Sequence, residues 1–262
     1  MLNVTPDSFS DGGEWFGADA AVRRGLEMAA EGAAIIDVGG ESTRPGAAPV
    51  PEGEELERTV PVVAQLARAL HGTGTAVSID TTKAAVARAA LEAGATYVND
   101  VSALRADPEM AAVIAEHGAR CCLMHLRGEP RTMQDDPRYD DVVREVRDFL
   151  AERAAWAVAQ GIPADRIDID PGIGFGKTVE HNVALLARLD ALMPLGHRVL
   201  VGVSRKSFLG TIAGVDDPRG RLPATIAANV LAYDRGARAF RVHDVAAHAQ
   251  ALAVAARVTA RA

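Results

Sequence analysis

A single (β/α)8 barrel of the α/β class is the fold that the sequence predicts, and three observations lead there. Short apolar runs bounded by glycine or charge recur along the whole 262-residue chain. Helical patterns lie between them without a break, which argues a parallel sheet covered by helices. The runs number about eight, the count that closes such a barrel.

The elements follow in order. Leu2-Asn3-Val4 is the first strand, and it runs straight into a polar, glycine-ended loop from Thr5 to Gly13. Ile35-Ile36-Asp37-Val38 is the second. Residues 54 to 70 then place Leu56, Val60, Val63, Leu66 and Leu70 on one helical face, with Pro61 expected to kink the helix. Ala76–Asp80, Tyr97–Asp100 and Arg120–His125 read as further strands. Residues 139 to 160 form a second amphipathic helix on Val142, Val146, Phe149 and Leu150. Ile167–Asp170, Val199–Val203 and Ala239–His243 complete the set. Gly94, Gly118 and Gly236 stand where a helix stops before the next strand. An open doubly wound sheet is the competing architecture, but residues 3 to 13 lack the Gly-x-Gly-x-x-Gly that a dinucleotide fold needs after its first strand.

Composition narrows the function classes. Hydrophobic residues make up 48% of the chain, ample for a core, and no linker divides it, so one domain over residues 1–262 is expected. The net charge is −7 with no block of like charge, so neither nucleic acid nor a membrane surface is expected as a partner. The two cysteines, Cys121 and Cys122, are adjacent in an apolar run and point to opposite faces of a strand. They are read as buried reduced thiols, which fits a reducing cytoplasm. No apolar run approaches bilayer length and no signal peptide precedes the first motif, so a cytoplasmic location is expected.

Most of the unusual polar residues fall at strand ends: Asn3, Glu41 to Pro45, Asp80, Asn99-Asp100, His125, Asp170, Ser204 to Ser207, and Arg241 to Asp244. A barrel builds its active site at that mouth. Arg241 and His243, two apart, share one face. With Arg44 and Lys206 they offer cationic donors for a phosphorylated group. Asp80, Asn99 and Asp170 offer fixed acceptors and an amide for the edge of a flat nitrogen heterocycle. A phosphorylated heterocyclic substrate is therefore expected. Two tempting motifs fail. Gly176-Lys177-Thr178 lacks the first glycine of a P-loop, and Gly172-Ile173-Gly174-Phe175-Gly176 has Lys177 where a dinucleotide fingerprint needs glycine; both read as a tight turn after strand six. His71, His117, His181, His197 and His248 lack spaced partners and are read as surface or cap residues.

The runs Leu2 to Gly13 and Asp37 to Gly46 resemble the first two signatures of the dihydropteroate synthase family. Ser78 to Thr81, Asn99 to Val101, Met124-His125, Asp170 to Lys177, Ser204 to Ser207 and Arg241 to Val245 match its later motifs in order, over nearly the whole chain. The resemblance implies a transferase of folate biosynthesis. Such an enzyme joins 6-hydroxymethyl-7,8-dihydropterin diphosphate to 4-aminobenzoate and releases pyrophosphate and 7,8-dihydropteroate. Carried over by motif, Asp80, Asn99, Asp170 and Lys206 hold the pterin, with Met124, Phe175 and Gly202 shaping its slot. Asn3 binds Mg²⁺ beside the diphosphate, Arg241 and His243 meet its oxygens, and Thr43 reaches it from the second loop. Phe9, Asp11, Arg44, Pro45 and Ser207 border the aminobenzoate. Asp80, Lys206, Arg241 and His243 are the catalytic set, and a homodimer is expected. Family members carry several residues before Leu-Asn-Val-Thr, whereas Met1 directly precedes Leu2 here; a short first strand is expected. Two alternatives are weighed. A pterin-dependent methyltransferase on the same barrel has no use for the diphosphate donors. A non-catalytic pterin-binding paralogue would not need the full residue set.

Overall fold

The computed structural model describes residues 1–4, 14–42, 48–128 and 132–260, with the backbone alone of residues 14–16. Its strands are β1 (Leu2–Asn3), β2 (Ile35–Gly39), β3 (Ala76–Asp80), β4 (Tyr97–Asp100), β5 (Arg120–Met124), β6 (Ile167–Asp170), β7 (Arg198–Val201) and β8 (Ala239–Phe240). Its helices are α1 (Glu14–Ala30), α2 (Glu52–Ala69), α3 (Ala84–Glu92), α4 (Met110–Glu116), α5 (Val142–Ala159), α6 (Val179–Ala187), α7 (Ser207–Ala213), α8 (Leu222–Asp234) and α9 (Val245–Thr259). The strands pair in sequence order, each parallel to the next, from β1 to β8. Among the described residues, one hydrogen bond links the β8 side to the β1 side, from the Met1 amino group to Val242 O at 2.8 Å. The first strand is short, as expected.

Period-two alternation divides each strand between two cores. Ile36, Val38, Val77, Ile79, Val98, Cys121, Leu123, Ile169 and Val201 face the helices in the main hydrophobic cluster. Tyr97, Cys122 and Leu200 form a separate cluster with Ile35 and Ala239. The adjacent cysteines therefore point to opposite sides, and both are buried free thiols. Across the start of the strands, fully buried Asp168 ties Tyr97 Oη (2.8 Å), Arg120 (3.0 Å) and Arg198 (2.5 and 3.1 Å) together. Ionic bonds across three strands fix one end of the sheet and leave the other end to carry chemistry. A cavity of about 230 Å³ runs along the β8–β1 seam, from Asp37, Asn99 and Arg241 toward Ile35, Phe240 and Leu252.

Helix stops match the glycine signal. At Gly94 φ is +108°, and Ala95 N closes the turn on Ala90 O at 2.9 Å. The face predicted for α2 is buried at Val63, Leu66 and Leu70, and the buried side extends further round the helix. The helix continues through Pro61, but its buried side is Glu55, Thr59, Val62, Val63 and Leu66, while Leu56 and Val60 are half-buried. Glu55 is accommodated because Lys83 reaches it at 2.5 Å. His181 takes the cap role expected of it, exchanging hydrogen bonds with Thr178 at the start of α6. His248 differs from expectation: it is buried, with Nδ1 on Asp244 O at 2.7 Å. Among the described residues no helix is long and apolar enough to cross a membrane.

Candidate active site

The strand ends bring most of the expected residues to one mouth. Asp80 ends β3, and Asn99 on β4 lies opposite it in register. Both are buried, and the Asn99 amide makes no hydrogen bond to a described residue. Arg241, just past β8, donates from Nη2 to Asp80 at 2.5 Å and from Nε to Asp37 at 2.6 Å, while Ser78 Oγ donates to the other Asp37 oxygen at 2.7 Å. One guanidinium is thus clamped by two carboxylates from β2 and β3. Burial raises the Asp80 pKa to about 7 against the lowering influence of Arg241. Arg241, held between anions, is raised and stays cationic despite its burial.

Asp170 and Lys206 form a second charged pair. Asp170 Oδ1 accepts from Gly172 N at 2.7 Å. Burial raises its pKa, opposed first by Lys206 and then by the Gly172 N–H, Lys177 and Arg241. Lys206 is brought down to about 8 by burial, opposed by Asp170. Its ammonium donates to Ile173 O and sits 4.5 Å above the Phe175 ring. A carbon added at Gly202 would lie 3.8 Å from Arg241 Cβ and 3.9 Å from Asp170 Oδ2, so glycine there keeps open the space between them. Met124, Val101, Leu126 and Met133 make a small apolar cluster against which Phe175 packs. Asp170, Lys206 and Phe175 are thus tied together after β6 and β7, and Arg241 is electrostatically coupled both to Asp80 and to Asp170.

Lys206 is aimed by a strained turn. Arg205 adopts φ +59°, a conformation that costs a non-glycine residue about 1–2 kcal/mol. Three contacts hold it there: a two-point ion pair with Asp244 (2.5 and 3.0 Å), Arg205 N on Thr225 Oγ1 (3.1 Å), and Arg221 on Arg205 O (3.0 Å). Ser204 does the same for His243. Its Oγ accepts from His243 N at 3.2 Å and lies 2.8 Å from His243 Nδ1. Where the hydroxyl donates its proton to Nδ1, the imidazole hydrogen stands on Nε2. Burial and the nearby positive groups hold the His243 pKa at about 4, so the ring is neutral near pH 7.

Asn3 ends β1 half-buried, in register with Gly39. Ser207 is exposed as the first residue of α7. Asp100 faces away from the slot's chemistry: it accepts from Ser102 N and Leu104 N and shapes the loop after β4. Phe9, Asp11, Thr43, Arg44 and Pro45 lie outside the described residues. Sequence reasoning assigned no role to Asp37, Ser78, Ser204 or Asp244, although all lie inside or beside the quoted motifs. Their signal is polarity on strands or at strand ends that are otherwise apolar.

A family model of pterin binding enzymes matches residues 1–243. The chain is 52% identical over 260 residues to a dihydropteroate synthase of Mycobacterium leprae, covering 97% of this chain and 90% of that one. The structure of a Xanthomonas albilineans dihydropteroate synthase with 4-aminobenzoic acid superposes with a TM-score of 0.91 at 49% identity, covering 99% of this chain and 91% of that one. A second structure of that enzyme, in complex with 7,8-dihydropteroate, has a TM-score of 0.87 at 45% identity and covers 99% and 92%.

Proposed function

The chain belongs to the dihydropteroate synthase family of pterin binding enzymes, and from that premise we propose how its residues divide the reaction. The enzyme condenses 6-hydroxymethyl-7,8-dihydropterin diphosphate with 4-aminobenzoate, giving 7,8-dihydropteroate and pyrophosphate. The observation that carries the residue assignment is the clamped Arg241, hydrogen-bonded to Asp37 and Asp80 and electrostatically coupled to Asp170. In this reading Asp170 and Lys206 meet the pterin from one side and Asp80 and Asn99 from the other, supported by the Asp170–Lys206 coupling, the Asp80–Asn99 register and the Met124–Phe175 packing. Carboxylates accept from the amino and ring N–H groups of a pterin, and the ammonium donates to its carbonyl and ring nitrogen.

During reaction the methylene C–O bond breaks, the diphosphate leaves with the electron pair, and the arylamine nitrogen forms the new C–N bond and then loses a proton. Charge grows on the leaving oxygens, so donors aimed there act more strongly in the transition state than in the ground state. The His243 Nε2 hydrogen, fixed by Ser204, and the remaining Arg241 nitrogen are those donors. Asp80 and Asp170 stabilise positive charge spreading into the ring. Arg44, Ser207, Thr43, Phe9 and Asp11 border the aminobenzoate and the diphosphate in this reading.

Mg²⁺ fits the donor set. It takes oxygen ligands, keeps several waters, and binds through few protein groups plus substrate phosphates. Among the described residues no three His, Cys, Asp or Glu side chains group to hold a metal. Asn3 supplies one amide oxygen at the mouth, and a metal bound there would neutralise diphosphate charge. The protein is read as cytoplasmic and as a homodimer; Ile212, Leu231, Val254 and Val258 on the consecutive helices α7, α8 and α9 are exposed apolar residues that suit a second copy. A sedimenting species of monomer mass at micromolar concentration would contradict the dimer.

The test of function is pyrophosphate release with both substrates. One pyrophosphate per dihydropteroate is expected, falling to background without 4-aminobenzoate or with excess chelator. Equal release with and without the arylamine would mark a hydrolase, and full turnover in chelator would remove Mg²⁺ from the account.

A further inference from the structure

We propose that Lys177 is a positioning residue for the pterin slot: its buried amine ties the loop after β5 to the loop after β6, and so fixes Met124, Asp170 and Phe175 relative to one another. The inference rests on the reading of the slot given above. Lys177 is only 3% exposed. Its Nζ donates to Phe175 O at 2.9 Å, lies 2.9 Å from His125 Nδ1, and reaches His125 O at 3.5 Å. Among the described residues no carboxylate pairs with it at contact distance. Burying an amine out of contact with a counter-ion is costly, and burial outweighs the opposing pull of Asp170 and pushes its pKa well below that of an ordinary lysine. A methionine would fill the same space without that cost, so the nitrogen itself has a task.

That task is visible in the backbone around it. The two loops touch main chain to main chain, with His125 N donating to Asp170 O at 2.9 Å. A carbon added at Gly172 would lie 1.9 Å from His125 O, and one at Gly176 would lie 2.3 Å from Arg127 O. Both glycines have positive φ, +65° and +62°. This close approach crowds carbonyl oxygens, and the amine supplies hydrogen bonds to both sides of the contact. His125 is fixed from behind by the edge of the Phe149 ring, with centroids 4.9 Å apart. Phe175, held through its carbonyl, carries the Lys206 ammonium over its ring and packs on the Met124 cluster. Loosening the clasp therefore shifts the slot's floor and two of its polar contacts together, although Lys177 need not touch substrate.

The experiment compares wild type, Lys177→Met and Lys177→Gln by circular dichroism, by calorimetric affinity for 6-hydroxymethylpterin, and by kcat and KM for each substrate. For Lys177→Met, pterin affinity is expected to fall about tenfold, the size of one lost buried hydrogen bond, and the pterin KM to rise by a similar factor. The aminobenzoate KM at saturating pterin stays at its wild-type value. Lys177→Gln keeps N–H donors and recovers part of the affinity. A lysine that only stabilised the fold would lower the melting temperature and leave the pterin affinity of the folded protein unchanged, and that result overturns the proposal. If Lys177→Met does not fold, Lys177→Gln and His125→Leu carry the test, and wild-type pterin affinity in both overturns it. Asp170→Asn is measured in parallel. If it too leaves pterin affinity intact, the reading of the slot fails and the proposal with it; if Asp170→Asn weakens binding and the Lys177 variants do not, the clasp alone is wrong.

Discussion

Replacing Arg241 with alanine is expected to reduce turnover by roughly 100- to 1,000-fold, the usual loss when a donor aimed at developing charge is removed. The chemical step should suffer more than substrate affinity. The same change strips the cation from two buried carboxylates, Asp37 and Asp80. Breaking a buried ion pair on one side costs roughly 3–5 kcal/mol of stability, because the remaining charge has no partner. The pH dependence follows from Asp80. Its carboxyl binds a proton more tightly folded than unfolded, where the pKa is about 3.9. Between that value and its folded pKa of about 7, the native state holds the extra proton, so this group makes stability fall as pH rises. Arg241 opposes that shift, and its removal enlarges it. Chemical denaturation of Arg241→Ala should therefore show a steeper loss of stability from pH 5 to 8 than wild type, partly recovered on acidification. An unchanged slope, or a turnover number near wild type in rapid-quench experiments, would count against the clamp as the site's electrostatic centre.

Lys206→Ala and Asp170→Asn should each cripple pterin binding in a protein that still folds. Loss of a buried hydrogen bond to a charged group costs about 1.5–3 kcal/mol, roughly tenfold or more in affinity. Lys206 has a second hold on the slot through its position over Phe175, so Lys206→Ala is expected to be the worse of the two. Calorimetry with 6-hydroxymethylpterin decides it, and unchanged affinity in either folded variant removes that residue from the slot.

The barrel was legible because each strand is short, apolar and punctuated by glycine or charge; Gly94, Gly118 and Gly236 all stand at helix stops with positive φ. The mouth was legible for the same reason, since a polar residue that ends an apolar strand has few other places to go. What the sequence does not carry is which residues meet across the barrel. Arg241 and Asp37 are 204 residues apart, and nothing local ties them. Lys177 read only as part of a tight turn after strand six, yet the fold brings two loops together over it and buries it. On α2 the sequence misses Glu55 and Thr59, which extend the buried face but look like solvent residues by type. Their burial depends on Lys83, 28 positions further on from Glu55, and on Thr59 Oγ1 bonding to the Glu55 carbonyl at 2.7 Å.

The central claim is that one half of the site recognises the heterocycle and the other half the diphosphate. Calorimetric titration of 6-hydroxymethylpterin and of its diphosphate, each against wild type, Asp170→Asn and His243→Ala, tests it directly. Asp170→Asn should weaken both ligands by the same factor, and His243→Ala should weaken the diphosphate alone. Loss of only the diphosphate in Asp170→Asn, or equal loss of both ligands in His243→Ala, would contradict the assignment of the two halves.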